Sequence, residues 1–184
     1  MKNLFILFSI MLIVFTFENP KVFAQELQAG SSAALLKPIA EKESDSRTKI
    51  LREFLQQYDS PLAPFANDFV KIADKYELDW KLVAAISGLE STFGKQIPNN
   101  SFNGWGWGIY GDNTINFSSW KEGIETVSEG LRTNYINKWG ARNVWEIGKL
   151  YASSPTWAQR VNYFMNKIDE FKTLKLANNL SISL

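Results

Sequence analysis

The chain contains no cysteine and no histidine among its 184 residues. The lack of cysteine excludes disulfides, thiolate metal sites, a cysteine nucleophile and lipid attachment through a cysteine. The lack of histidine excludes Ser-His-Asp chemistry and argues against a zinc hydrolase, whose metal is usually held by imidazole. Carboxylates, lysines and tyrosines remain for acid–base work, and we expect neither a metal nor a cofactor.

Strong charge of either sign is also lacking, with 20 Lys and Arg residues against 19 Asp and Glu residues. A near-neutral chain does not attract nucleic acid or an anionic surface through bulk charge. We therefore expect no nucleic-acid partner and recognition through a shaped pocket. The seven tryptophans, all after residue 79, offer aromatic surface for such a pocket as well as for the core.

The N-terminal region predicts an export signal. Residues 1–3 are a short positive segment, Leu4–Phe17 is an apolar run, and 22–24 (Val-Phe-Ala) suits signal cleavage. The run of about 14 residues is shorter than the roughly 20 that span a bilayer. We expect cleavage after Ala24 (residues 1–24 forming a signal peptide), with an uncleaved anchor as the alternative. The mature protein would be secreted or in the cell envelope, without stable membrane insertion.

The rest of the chain predicts a mainly α fold in one domain. Residues 25–47 are small, polar and aperiodic, which is typical of a flexible spacer, although a merely tolerated terminus fits equally well. Residues 48–175 show helical periodicity nearly throughout, and 176–184 form a tail. Residues 94–118 are rich in turn formers and indicate a small loop-rich lobe, in which a short β-hairpin is one alternative. We expect a monomer.

Capping residues predict where the helices begin and end. Starts are expected at polar residues that precede apolar periodicity: Asp79, Ser119 (with Glu122 as a capping box), Asn143 and Ser154. Ends are expected at two glycines, Gly94 and Gly140.

One carboxylate, Glu90, lies in the last turn of the helix predicted between Asp79 and about Phe93, which is apolar nearly all round. Val83, Ile86, Glu90 and Phe93 share one face of it. Apolar surroundings and the negative end of the helix dipole both favour the protonated acid. Glu90 is therefore predicted to be a general acid. The alternatives are that it points out of the helix end or pairs with a buried Lys or Arg.

The segment Asp79-Trp-Lys-Leu-Val-Ala-Ala-Ile-Ser-Gly-Leu-Glu90-Ser91-Thr-Phe-Gly resembles the first motif of the lysozyme-like superfamily, in particular of bacterial lytic transglycosylases and related glucosaminidases. Asn103-Gly-Trp-Gly-Trp-Gly-Ile is similar to the Gly-rich loop motif that follows. The similarity covers about residues 62–172. Transglycosylases usually have Gly-Leu-Met-Gln in the loop, and their later Ala-Tyr-Asn motif is represented here only by Leu150-Tyr151-Ala152.

The resemblance implies a lysozyme-like fold and cleavage of the β-1,4 bond between N-acetylmuramic acid and N-acetylglucosamine in peptidoglycan strands. Glu90 would be the catalytic acid, and Tyr151 would orient it. Ser91 would bind the substrate or the acid, or be a polar residue at the helix end. Two alternatives stay open: a glucosaminidase-type hydrolase with a second carboxylate, and a non-catalytic cell-wall glycan-binding module. A purely structural helical domain with an ion-paired Glu90 is a third.

Asp112, in the loop-rich lobe, is the first candidate for a second carboxylate, with Glu122 and Glu125 behind it. Tyr-Gly-Asp-Asn at 110–113 also reads as an ordinary turn.

Three aromatic residues of the lobe are candidates for stacking on sugar faces: Trp105, Trp107 and Tyr110. Four other tryptophans have helical spacing and are expected in the core: Trp120, Trp139, Trp145 and Trp157.

Overall fold

The computed structural model describes residues 46–108 and 115–181, with side chains up to residue 178. In chain order the helices are 46–56 (α1), Ala66–Lys75 (α2), Leu82–Ser91 (α3), Trp120–Gly130 (α4), Val144–Tyr151 (α5) and Trp157–Ser181 (α6). A 3-10 turn, Ala63–Phe65, precedes α2, and α4 continues as a π-helix, Leu131–Lys138. The predicted signal peptide and residues 25–45 of the spacer lie outside the described residues.

The mainly α prediction is confirmed. No strand occurs within residues 46–108 and 115–181, and the described part of the lobe consists of turns and bends. Two predicted boundaries fall inside helices, because residues 46 and 47 belong to α1 and α6 continues past residue 175 to Ser181. No helix in these ranges is long and apolar enough to cross a membrane.

Helix α3 lies at the centre of the described residues, as its nearly all-round apolar sequence predicts. Every residue from Leu82 to Gly88 is buried, and α3 packs mainly against α6 while also contacting α2 and α4. Gly88 permits close approach, because a Cβ there would lie 2.6 Å from the ring of Phe93. Each fully buried large apolar side chain contributes about 1.5–3 kcal/mol. The buried core thus fixes the position of α3, and Glu90 lies in the last turn of this helix, at the surface.

Helix α3 ends two residues earlier than predicted, and three consecutive left-handed residues follow it. Thr92, Phe93 and Gly94 have φ angles of 53°, 57° and 83°. Such angles are costly for residues other than glycine. Full burial of Phe93 and a 2.8 Å hydrogen bond from the Gly94 N–H to Ser91 Oγ offset that cost. The chain therefore turns away sharply just after Glu90.

The start of α3 was also predicted wrongly. Asp79 does not cap the helix, which begins at Leu82 after Lys81. Its Oδ1 instead accepts a 2.9 Å hydrogen bond from the Lys81 N–H, so that its side chain stabilises a turn ahead of the helix.

Three other capping predictions are confirmed. Ser119 Oγ accepts a 3.2 Å hydrogen bond from the Glu122 N–H at the start of α4. Asn143 Oδ1 accepts bonds of 3.0 Å from the backbone N–H groups of residues 145 and 146 at the start of α5. Gly140, with a φ of 75°, follows the end of the π-helix.

Candidate active site

The carboxyl group of Glu90 lies where the end of α3, the end of α5, the start of α6 and the loop 103–108 meet. Trp157 Nε1, on the first residue of α6, donates a 2.6 Å hydrogen bond to Glu90 Oε1. Oε2 accepts no hydrogen bond from the described residues. It faces Gly106, and a Cβ built on that glycine would lie 3.4 Å from Oε2. One carboxylate oxygen is therefore held by a hydrogen bond, and the other lies against the backbone of Gly106.

Glu90 is exposed, whereas the sequence predicted a residue enclosed by apolar neighbours. Solvent reaches the side chain because it is at the helix end, yet protein atoms surround its carboxyl group. Burial raises the pKa of Glu90 above the ordinary value, while the hydrogen bond from Trp157 and the charge of Arg160 lower it in part. The acid is thus accessible and, at the same time, biased toward its protonated form.

Glu90 forms no ion pair among the described residues, so the predicted alternative of a buried Lys or Arg partner is not found. Arg160, exposed in the first turn of α6, acts on it only through longer-range electrostatics.

Trp157 is the residue that orients Glu90, and sequence reasoning placed it only in the core. It is indeed 3% exposed, but its indole N–H points at the carboxylate. Tyr151 stacks on it, with ring centroids 4.6 Å apart and planes at 24°. Helical spacing predicts which face of a helix is buried. It does not predict which group an indole N–H on that face contacts.

Tyr151 makes no hydrogen bond to Glu90 in the described residues, and its role in orienting the acid stays a prediction. Its hydroxyl donates a 2.7 Å hydrogen bond to the carbonyl oxygen of Trp105. Burial raises the pKa of Tyr151 well above the ordinary value, and the nearby charge of Glu90 adds to this. Tyr151 is therefore a half-buried tyrosine that contacts Glu90's partner Trp157 and the loop 103–108.

Asn103 shapes the loop that faces Glu90, and sequence reasoning did not assign it a role. Its Nδ2 donates to the carbonyl oxygens of Trp107 and Ile115 at 2.8 and 2.9 Å, and its Oδ1 accepts from the Trp107 N–H at 3.0 Å. Gly106, with a φ of 62°, takes the left-handed turn inside this loop. An asparagine directly ahead of a repeated Gly-Trp pattern is the signal that could have identified it.

Trp105 is fully buried, which contradicts the prediction that it stacks on a sugar. Its Nε1 donates a 2.9 Å hydrogen bond to the carbonyl oxygen of Val83 in α3. The side chain thus anchors the loop to the central helix and has no face left for a ligand.

Ser91 is also buried and reaches neither a substrate nor the acid. Its hydroxyl is 2.7 Å from the carbonyl oxygen of Gly104 and 3.0 Å from that of Ser87. Together with the bond from the Gly94 N–H, these contacts tie the loop 103–108 to the end of α3. The two residues of the Glu-Ser pair therefore have different environments. Glu90 is exposed, whereas the hydroxyl of Ser91 bonds to backbone groups.

Trp107 keeps a partly exposed ring next to the site. It contacts Tyr151 and Tyr135, both with ring centroids 5.9 Å away. Stacking of Trp107 on a sugar stays a prediction. Tyr110 and Asp112 lie outside the described residues.

The two reserve candidates for a second carboxylate are engaged elsewhere. Glu122 Oε2 accepts a 2.6 Å hydrogen bond from the Ser118 N–H, and its pKa is lowered by bonds to Ser118. Glu125 pairs with Lys75 and accepts a 2.6 Å hydrogen bond from Tyr76, and both lower its pKa. Each is an ionised group that stabilises a helix or an interhelical contact.

Of the four tryptophans expected in the core, Trp120 and Trp157 are buried, but Trp139 and Trp145 are 50% and 51% exposed. The prediction is wrong for the last two. No group of three or more acidic side chains that could ligate a metal ion occurs in the described ranges.

No known protein-family model matches the chain, and no curated protein shows significant similarity to it.

The electrostatics of the site predict the effect of Trp157→Phe. Phenylalanine keeps a ring against Tyr151 but removes the N–H whose hydrogen bond lowers the pKa of Glu90, so that pKa is expected to rise. Arg160→Gln should raise it less, because its charge is the smaller of the two lowering causes. Carbon-detected NMR titration of the Glu90 carboxyl measures both shifts. An unchanged or lowered pKa in Trp157→Phe would contradict the assignment of Trp157.

Proposed function

We propose that this protein is an exported peptidoglycan-cleaving enzyme with a lysozyme-like fold, and that it acts as a lytic transglycosylase. Its target would be the β-1,4 bond between N-acetylmuramic acid and N-acetylglucosamine. The observation that carries the proposal is the geometry of Glu90: Trp157 holds one carboxylate oxygen, the other faces Gly106 without a hydrogen bond from the described residues, and burial raises the pKa of the acid. These are the properties of a general acid for glycoside cleavage.

In this mechanism Glu90 gives its proton to the glycosidic oxygen as the bond from that oxygen to the anomeric carbon breaks. Positive charge develops on the sugar ring. The resulting carboxylate then takes a proton from a hydroxyl of the same sugar, whose oxygen bonds to the anomeric carbon. An anhydro sugar leaves and protonated Glu90 is restored, so that no water is consumed and no second carboxylate is required.

The engagement of the other acidic candidates supports a single-carboxylate mechanism over hydrolysis. Glu122 holds the start of α4, and Glu125 pairs with Lys75. A hydrolase of the glucosaminidase type would need a further carboxylate placed to activate water. In such a hydrolase, Asp112 would be the carboxylate that activates water.

The test is to digest purified peptidoglycan with the wild-type protein and to analyse the released fragments by mass spectrometry. We expect fragments with anhydro ends, each lighter by one water than its hydrolysed counterpart. Fragments with reducing ends would replace the transglycosylase by a hydrolase. Retention of the protein on the insoluble wall without release of any fragment would replace the enzyme by a glycan-binding module.

A further inference from the structure

The π-helix that continues α4 places two aromatic side chains next to each other. The N–H of Trp139 donates a 2.9 Å hydrogen bond to the carbonyl oxygen of Asn134, five residues earlier. Residues four apart on a helix lie on the same face. Tyr135 and Trp139 accordingly meet with ring centroids 4.9 Å apart and planes at 74°. Stretches of π-helix are rare and often occur at functional sites.

These two rings belong to an unbroken series of aromatic contacts that begins at Glu90, which we call the aromatic run. Its members in order of contact are Trp157, Tyr151, Trp107, Tyr135 and Trp139. Ring centroids are 4.6 Å apart between Trp157 and Tyr151, 5.7 Å between Tyr151 and Tyr135, and 4.9 Å between Tyr135 and Trp139. Gly130 makes room for Trp107, since a Cβ there would lie 2.3 Å from its ring.

Exposure increases along the aromatic run with distance from Glu90. Trp157 is 3% exposed, Tyr151, Trp107 and Tyr135 are half-buried, and Trp139 is 50% exposed. Packing explains the burial of the inner rings. It does not explain why Trp139, at the outer end, is half exposed to solvent. A rigid aromatic ring on the surface gives a large apolar contact area at little cost in conformational entropy.

We propose that Tyr135 and Trp139 form a binding site for the peptidoglycan glycan strand, at a sugar position beyond the bond next to Glu90. The exposed part of the aromatic run decides the occupant. Gly106 lies against Glu90 Oε2, and the rings of Trp107, Tyr135 and Trp139, which follow it in contact, are all at least partly exposed. A glycan strand is a polymer whose sugar rings stack on such aromatic surfaces. The inference rests on the proposed function for the identity of the glycan.

The experiment measures binding without turnover by placing every change in a Glu90→Gln background. Trp139→Ala is compared with Trp145→Ala in co-sedimentation with purified insoluble peptidoglycan. Trp145 is a matched control, because it is 51% exposed, lies in the neighbouring helix α5, and makes no ring contact in the described part of the chain. We expect Trp139→Ala to weaken binding by about two- to tenfold, the range for one aromatic contact. Trp145→Ala should leave binding unchanged, and Trp139→Phe should restore most of it.

The outcomes separate this inference from the proposed function. Equal binding by the Trp139→Ala and Trp145→Ala proteins overturns the inference, even if the wild-type protein releases fragments. A selective loss with Trp139→Ala upholds it, even if the wild-type protein releases none. Circular dichroism melting of each variant shows whether a loss of binding reflects unfolding. If Trp139→Ala unfolds, the comparison passes to Trp139→Phe and Trp139→Leu, and equal binding by these two overturns the inference.

Discussion

Replacement of Glu90 by glutamine is expected to lower the rate of fragment release from purified peptidoglycan by about 10²–10⁴-fold, the usual contribution of a general acid–base group. Glutamine has nearly the same size as glutamate, and its carbonyl oxygen can still accept the hydrogen bond from Trp157 Nε1. It has no acidic proton to give to the leaving oxygen. The change therefore removes the chemistry and leaves the contacts of the side chain in place.

Glu129→Gln is the matched control for this prediction. Glu129 is an exposed glutamate in α4, and it makes no hydrogen bond or ion pair through its side chain in the described residues. Both variants remove one negative charge, so a nonspecific effect of charge would appear in both. Equal rates for wild type, Glu90→Gln and Glu129→Gln would show that Glu90 is not the catalytic acid.

The difference in stability between Glu90→Gln and the wild type should depend on pH in a defined direction. The pKa of Glu90 is raised in the folded protein, so the folded protein binds this proton more tightly than the unfolded chain does. The favourable contribution is complete below the unfolded value of 4.5 and is lost as pH rises through the folded pKa. At neutral pH the glutamine variant, which cannot ionise, should therefore equal or exceed the wild type in stability.

Urea denaturation at neutral pH and near pH 4.5 measures this difference, which should shrink at the lower pH as the wild-type carboxyl gains its proton. A loss of about 3–5 kcal/mol at neutral pH, typical of a broken buried ion pair, would contradict it.

Local side-chain chemistry explains which helix boundaries could be predicted. Ser119 and Asn143 bond to backbone N–H groups within three residues, so their effect is contained in the sequence around them. Gly140 also acts locally, because glycine adopts its φ of 75° at the helix end without strain. At the end of α3, by contrast, Thr92 and Phe93 take up left-handed angles because Phe93 is buried, and burial is a tertiary property.

The same distinction separates the predictable and unpredictable parts of the site. Glu90 stands out because one carboxylate in an apolar helix is visible in the sequence. Its partner Trp157 lies 67 residues away and is defined by a single indole hydrogen bond. Spacing predicts that Trp157 is inside the fold, which is correct, but it carries no information on which group the N–H meets.

Trp105 and Trp107 show why the aromatic residues of the lobe could not be told apart. They are two residues apart, and between them Gly106 turns the chain through a left-handed conformation. A loop has no periodicity that assigns one ring to the core and the other to the surface. The structure buries Trp105 completely and leaves Trp107 partly exposed.

Trp139 illustrates a different failure. Helical spacing predicts burial only if the helix keeps its α-helical pitch, and the change to a π-helix after Gly130 alters the angle between successive side chains. Trp139 lies beside Tyr135 and is half exposed. The irregular segment thus produces the surface that we infer to bind glycan.

The second large expected effect is on stability: Trp105→Ala should lower the free energy of unfolding by about 3–5 kcal/mol, the usual cost of truncating a buried aromatic residue. The ring packs with Trp120 at 6.2 Å and Phe69 at 6.3 Å between centroids. Its loss would leave a cavity and would remove the indole hydrogen bond to the carbonyl oxygen of Val83. Against a total stability of roughly 5–15 kcal/mol this is a large fraction.

Urea denaturation of Trp105→Ala and Trp145→Ala tests this prediction, with the half-exposed Trp145 expected to change stability by only about 0.5 kcal/mol. Trp105→Phe then separates anchoring from ligand binding, because it keeps a ring in the core. If Trp105 anchors the loop, the folded Phe variant binds peptidoglycan as the wild type does, while its unfolding midpoint falls. Weakened binding at unchanged stability would instead require a sugar to reach Trp105, which its complete burial does not allow.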